Sequence, residues 1–199
     1  MKKMFLLAGI SVTALFTFSC SKEETKKGET YLFKNTEKVE VLNVKSAKEI
    51  TVSEQEPKFE GYQKYSFSKN TVVESDQWDI AFNGYTIIVN GGTSPNADKI
   101  AFTGKGALYI TEGTLENVTS VELEKLKNHT VNYTDWGQYD GGTHMVTPIA
   151  GKIIVIKTYE GQYVKMRIDS FYKDKGDQKP GANYKNTELG YYSFTFIKG

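Results

Sequence analysis

Apolar residues recur at every second position along this chain, in short bursts bounded by Gly, Asn, Asp and Ser. Val39-Val41, Lys64-Tyr65-Ser66-Phe67, Ile87-Val89 and Ala107-Tyr109 all follow that period. Successive side chains of a strand point to opposite faces, so these bursts predict strands. The cleanest pair is Lys152 to Lys157 with Tyr163 to Phe171. Ile153-Ile154-Val155-Ile156 and Tyr163-Val164-Lys165-Met166-Arg167-Ile168 flank Tyr159-Glu160-Gly161, where Gly161 can take the positive φ of a tight hairpin. Val164, Met166 and Ile168 fall on one face and Lys165 and Arg167 on the other, which predicts one buried and one wet face. Tyr191 to Ile197 predicts a final strand that ties the C-terminus into a sheet. Only Thr119 to Leu126, with cap-type hydroxyls ahead of Glu and Lys, favours a turn or two of helix. The fold expected is all-β, mainly antiparallel, with at most one short helix.

The pattern changes at the N-terminus. Met1-Lys2-Lys3 precedes the apolar run Met4 to Phe18, roughly 15 residues, which suits a secretory signal and falls short of the ~20 needed to cross a bilayer. The run stops at Ser19-Cys20, the only cysteine of the chain. A small residue before a lone cysteine at that point marks a lipoprotein cleavage site. The expectation is a signal peptide over 1–19, a lipidated Cys20 and a polar tether over 20–30, then a single β domain over 31–199. With no cysteine left after Cys20, packing and sheet hydrogen bonds must supply the stability. Net charge is +1 for the whole chain. Removing Lys2 and Lys3 leaves it close to neutral, so no field for nucleic acid arises.

Few signatures of chemistry are present. Two histidines and no cysteine within the domain exclude papain-like, zinc-finger and His-x-x-x-His sites. Gly91-Gly92 and Gly104-Lys105-Gly106 lack phosphate-loop spacing and read as turns. No pair of carboxylates stands out, so the chain does not read as an enzyme. One stretch is unusual: Asn128 to Pro148 holds His129, His144, Tyr133, Trp136, Tyr139 and Met145 among Gly and Asp, a composition suited to a binding loop. If His129 to Tyr133 is extended, His129 shares a face with Val131 and Tyr133. His144 and Met145 are adjacent and point to opposite faces of any strand they share. Met145 also reads as core filler, and each histidine as an ordinary loop residue.

Several motifs fall in a familiar order. Gln63-Lys64-Tyr65-Ser66-Phe67-Ser68, Trp78-Asp79-Ile80-Ala81-Phe82 and Val89-Asn90-Gly91-Gly92-Thr93-Ser94 are followed by Trp136-Gly137-Gln138-Tyr139, Thr143-His144 and the Ile153 to Ile168 hairpin. Together they resemble the HmuY family of haem-binding lipoproteins of Bacteroidota. The lipoprotein signal also resembles those of that group, and Ser21-Lys22-Glu23-Glu24 is similar to the short acidic tag that sends its lipoproteins to the outer face of the outer membrane. The resemblance implies a hand-shaped, mostly antiparallel fold and a surface lipoprotein that takes up haem for iron acquisition. It also implies an outer-membrane TonB-dependent transporter as partner. Family members bind the iron through two histidines or two methionines. Here Lys105 to Lys127 holds neither residue, and Asn83-Gly84 stands where the family often has His-Arg. The loop before the Ile153 strand offers His144 or Met145 as a candidate iron ligand, His129 is the only other histidine, and Tyr133, Trp136 and Tyr139 are candidate haem contacts. The histidine pair would have to meet within about 4 Å across the iron. The rival readings are a non-haem ligand on the same fold, such as a glycan, a peptide or another porphyrin, and an adhesive surface protein.

Overall fold

The computed structural model describes residues 30–51, 58–92, 100, 102–127 and 129–199. The expected signal peptide, Cys20, nearly all of the expected tether, Thr93-Ser94 and Asn128 lie outside them. In chain order the strands are β1 (Tyr31–Leu32), β2 (Val39–Lys45), β3 (Lys48–Thr51), β4 (Lys58–Glu60), β5 (Gln63–Ser66), β6 (Thr71–Val72), β7 (Ile80–Asn83) and β8 (Thr86–Val89). There follow β9 (Ala107–Glu112), β10 (Ser120–Val121), β11 (Thr130–Val131), β12 (Gly137–Asp140), β13 (Met145–Pro148), β14 (Lys152–Lys157), β15 (Tyr163–Tyr172) and β16 (Leu189–Lys198). Among the described residues every strand pairing is antiparallel. Two five-stranded sheets carry the molecule, one ordered β11-β8-β7-β5-β6 and the other β2-β16-β15-β14-β9. The all-β expectation holds, including the Tyr159 to Gly161 turn, where Gly161 has φ +92.

Period-two alternation explains how the sheets meet. Tyr65, Ile80, Phe82, Ile87 and Val89 of the first sheet share one buried cluster with Ile154, Ile156, Met166, Ile168, Tyr192, Phe194 and Phe196 of the second. Phe82 stacks on Tyr192 at 4.4 Å, and Tyr65 meets Phe194 edge-on at 5.2 Å. Each fully buried side chain of this size contributes about 1.5–3 kcal/mol. The alternate residues of these strands are buried too. Ile153 and Val155 face outward from the second sheet into a separate cluster with Phe33, Leu115, Val118 and Val121, and Ala81 and Ile88 pack with Trp78 behind the first sheet.

That outer cluster corrects the wet face expected for β15. Arg167 is exposed, but Lys165 is only 3% exposed. Its ammonium donates to the Val118 carbonyl at 2.8 Å and lies 4.8 Å above the Phe33 ring. Burial pushes its pKa below the ordinary lysine value. The helix expected over Thr119 to Leu126 is also not formed. Ser120 and Val121 pair with β1, and only Leu123–Lys125 makes a 3-10 turn, because Val121 is claimed by the outer cluster. The α-helix that does form, α1, is a single turn at Tyr133–Trp136.

Polar ties cross between the layers. Asp79 is buried at the start of β7, where its two carboxylate oxygens accept the N–H of Phe67 at 2.7 Å and of Tyr159 at 2.9 Å. One side chain thus fastens the first sheet to the β14–β15 turn. The Tyr192 hydroxyl donates to the Gly84 carbonyl at 3.0 Å, and Tyr172 accepts the N–H of Val146 at 2.9 Å, holding β13 against β15. Asn90, fully buried, donates to the Asp76 carbonyl and accepts from the N–H groups of Thr103 and Gly104. Beside it a Cβ on Gly91 would lie 2.1 Å from the Gly106 carbonyl oxygen, so this close crossing requires glycine. The two glycine motifs therefore pack on each other.

Candidate functional site

The local sequence Asn132-Tyr133-Thr134-Asp135 starts α1, and Asp135 accepts the backbone N–H of Asn132 at 2.8 Å. Tyr133 therefore opens a helical turn and does not continue the strand of His129, so the shared face expected for them is not formed. Trp136 ends the turn buried, 1% exposed. Its indole N–H donates to the Tyr85 carbonyl at 3.3 Å, and its ring packs on Phe171 and Tyr192. Tyr133 is half-buried against Tyr85. Trp136 is thus core, and Tyr133 lines its rim.

From Trp136 the chain runs into the β12–β13 hairpin, in register from Gly137 opposite Pro148 to Asp140 opposite Met145. Met145 and Val146 are 2% and 5% exposed, and both belong to the main core. Met145 therefore has no open approach in this conformation. On the partner strand Gln138, Tyr139 and Asp140 are exposed, Tyr139 to 54%. The turn Gly141-Gly142-Thr143-His144 is held by Asp140, which accepts the Gly142 N–H at 2.9 Å and the Thr143 hydroxyl at 2.8 Å. These bonds, the Gly142 N–H first, hold the Asp140 carboxyl below its ordinary pKa.

His144 leaves this turn exposed, with φ +55, a conformation few side chains adopt. Its Nδ1 lies 2.6 Å from the Tyr139 hydroxyl. Its ring meets Tyr184 edge-on, centroids 5.3 Å apart and planes at 80°. Tyr184 comes from the loop before β16, and its N–H donates to the Thr143 carbonyl at 3.1 Å. Asn183 shapes that loop by accepting the Lys185 N–H at 2.9 Å and the Thr187 hydroxyl at 2.7 Å. The Lys185 ammonium lies 5.6 Å over the Tyr184 ring. Tyr139 and His144, both exposed, thus form an aromatic cluster with the half-buried Tyr184, bringing together one imidazole, two phenols and a cation beside them. Tyr184 and Lys185 escape a sequence reading because the contact spans forty residues. The one local signal is the Asn183/Asn186 turn that presents them.

His129 stands apart. It is half-buried in the bend just before β11, and its carbonyl accepts the Val89 N–H at 3.1 Å. Its ring lies so close to Gly92 that a Cβ there would be 2.5 Å from Cδ2. Among the described residues its Nδ1 has no hydrogen-bond partner. It shares no contact with Tyr139, His144 or Tyr184, so this conformation does not bring the two histidines together as an axial pair. A cavity of about 150 Å³ lies between Phe67, Asp79 and Thr158, below the roughly 300–1,000 Å³ of sites for drug-sized ligands. Larger spaces of about 440 and 480 Å³ open beside Arg167 and beside Phe59 and Tyr191, and neither is lined by His or Met. Among the described residues no group of three or more His, Cys, Asp or Glu is placed to hold a metal ion.

Comparison with known proteins agrees with the motif order. Three solved structures share partial likeness. An HmuY analogue of Tannerella forsythia, solved in its apo form, is 14% identical with a TM-score of 0.34, over 82% of this chain and 97% of its own. A Bacteroides vulgatus protein classed as HmuY-like and haem-binding is 13% identical with a TM-score of 0.39, over 84% and 97%. A Bacteroides fragilis chain classed as a lipoprotein is 13% identical with a TM-score of 0.39, over 76% and 94%. No curated protein matches. The family model for the HmuY protein matches residues 58–185, well over half of the chain, which contains all of the Tyr139–His144–Tyr184 cluster: the chain belongs to the HmuY family.

Proposed function

We propose that this protein binds haem at the tip of the β12–β13 hairpin, as a lipid-anchored surface protein serving haem uptake. Family membership supports the ligand class. The observation that carries the location is the Tyr139–His144–Tyr184 cluster, where, among the described residues, an exposed imidazole meets one exposed and one half-buried tyrosine. Haem asks for flat apolar contact, a cation near its propionates and a donor for its iron. Tyr184 supplies a face, Lys185 a cation, and Tyr139 and His144 the donors. Cys20 would carry the lipid and a TonB-dependent transporter would receive the cargo.

An absorption titration of the full chain in detergent with ferric haem, detergent alone serving as the blank, tests the binding. A saturable one-to-one shift of the main haem band is expected, and its absence would overturn the reading. The shallow exposure of the cluster also suits stacking on a sugar or on an iron-free porphyrin. Titration with iron-free protoporphyrin separates these, because binding led by the iron fails without the metal.

A further inference from the structure

We infer that the end of the domain where β1 begins rests on the anionic surface of the bilayer, so that the β12–β13 hairpin, at the opposite end of β15, faces away from it. This rests on the lipid-anchored reading above and adds an orientation to it. Ten residues lead from Cys20 to Thr30. A chain spans at most 3.3–3.6 Å per residue, so Thr30 stays within about 35 Å of the lipid on Cys20. The Tyr31 ring lies 4.5 Å from that of Tyr163, the first residue of β15, and Gly199 donates its N–H to the Tyr163 carbonyl at 2.8 Å. At the other end of β15 the Tyr172 hydroxyl accepts the Val146 N–H, and the Tyr184 N–H ties the hairpin tip to the loop that follows the strand. At about 3.3 Å per residue, β15 sets these two ends roughly 30 Å apart.

The Tyr163 end carries the chemistry that a charged lipid surface selects. Leu32 is 55% exposed there and lines, with Thr30, Tyr31, Lys34 and Gly199, an open hollow of about 390 Å³. Lys69 and Lys198 line the cavity beside Phe67 and Tyr163. Lys105 and Lys157 flank Gly161 in the β14–β15 turn, within 3.5 and 3.7 Å of where its Cβ would stand. Among the described residues none of these five lysines makes an ion pair, and Glu160 is the exposed acid beside them. The hairpin end differs: Lys173 pairs with Glu188, and Asp140 stands in the hairpin turn. Lysines within a Debye length of anionic headgroups are drawn to them, tyrosines favour the interface, and Leu32 enters its apolar edge. A basic patch beside a lipid anchor is a second membrane signal. The anchor alone leaves the domain free to turn, and the patch fixes which end meets the lipid.

The test uses the full lipidated chain in vesicles of phosphatidylethanolamine and phosphatidylglycerol whose headgroups carry a nitroxide quencher. Lipid occupies the thiol of Cys20, so Leu32→Cys and Lys185→Cys each take one fluorescent label, at the two ends of the molecule. Both variants are expected to float with the vesicles. The label at position 32 should lose most of its fluorescence, and the label at position 185 should keep nearly all of it. Adding Lys34→Glu, Lys69→Glu and Lys105→Glu, all at exposed positions, should abolish most of the quenching at position 32 while flotation persists, with circular dichroism confirming the fold. Equal quenching of the two labels, or quenching at position 32 that survives the three charge reversals, would overturn the orientation and leave the anchor standing. A chain that does not float would overturn the anchor, and the orientation with it.

Discussion

His144 occupies a left-handed backbone conformation at φ +55, which costs a side chain about 1–2 kcal/mol and glycine almost nothing. Its ring is exposed and returns only surface contacts with Tyr139 and Tyr184. His144→Gly is therefore expected to leave stability unchanged or raise it by up to about 1 kcal/mol, measured by urea unfolding, while haem affinity falls. A variant that lost both together would point to a structural role for the imidazole. At this scale the sequence was partly legible. The aromatic, Gly-rich loop is visible from composition, and two of its residues, Tyr139 and His144, meet as an exposed pair. Met145 is core, in line with its reading as core filler, whereas Trp136, a candidate haem contact in sequence, is taken into the core at the end of α1. Nothing local in a sequence distinguishes an aromatic that covers the core from one that faces solvent.

The elements were read well where alternation alone decides them. Both arms of the β14–β15 hairpin and the final strand fall where the period-two pattern puts them. Two of the failures share one cause: a further layer of chain behind the second sheet. It buries Lys165 and recruits Val121 into a strand. Periodicity reports which residues share a face, but not whether another segment covers that face. α1 was missed although Asn132 and Asp135 carry its capping signal, since one turn gives no 3.6-residue period. Asp79 shows what a single buried acceptor does for these elements. Asp79→Ala would leave the N–H groups of Phe67 and Tyr159 without their acceptor. Each orphaned group costs about 1–3 kcal/mol, so the denaturation midpoint should fall by the equivalent of at least about 2 kcal/mol. A loss below 1 kcal/mol, read in urea, would mean that water replaces the carboxylate and that the tie is not structural.

The whole molecule is fastened by buried tyrosines. Tyr65, Tyr172 and Tyr192 lie in the main core, and burial raises each phenol above its ordinary value of 10.0. Above that value the unfolded chain loses these protons and the folded chain keeps them. Their stabilising contribution is therefore complete below pH 10 and declines as pH rises toward the folded values, by about 1.4 kcal/mol per pH unit for each group. Cooperative alkaline unfolding is expected, with part of the tyrosinate absorbance appearing only as the circular dichroism of the sheets disappears. Gradual ionisation of all tyrosines with the sheets intact would show that the core admits hydroxide and is looser than described. The β12–β13 hairpin pairs outside both five-stranded sheets, and its tip and the Asn183 loop are where haem is proposed to bind.

The location of the iron is the most direct test of this account. Crystals of the haem-loaded protein, measured at the iron absorption edge, should place one anomalous peak at bonding distance, about 2 Å, from the Tyr139 phenol oxygen or the His144 imidazole. A peak beside His129, or in the space lined by Phe59 and Tyr191, would show that haem binds elsewhere on this fold and would contradict the assignment of the hairpin tip.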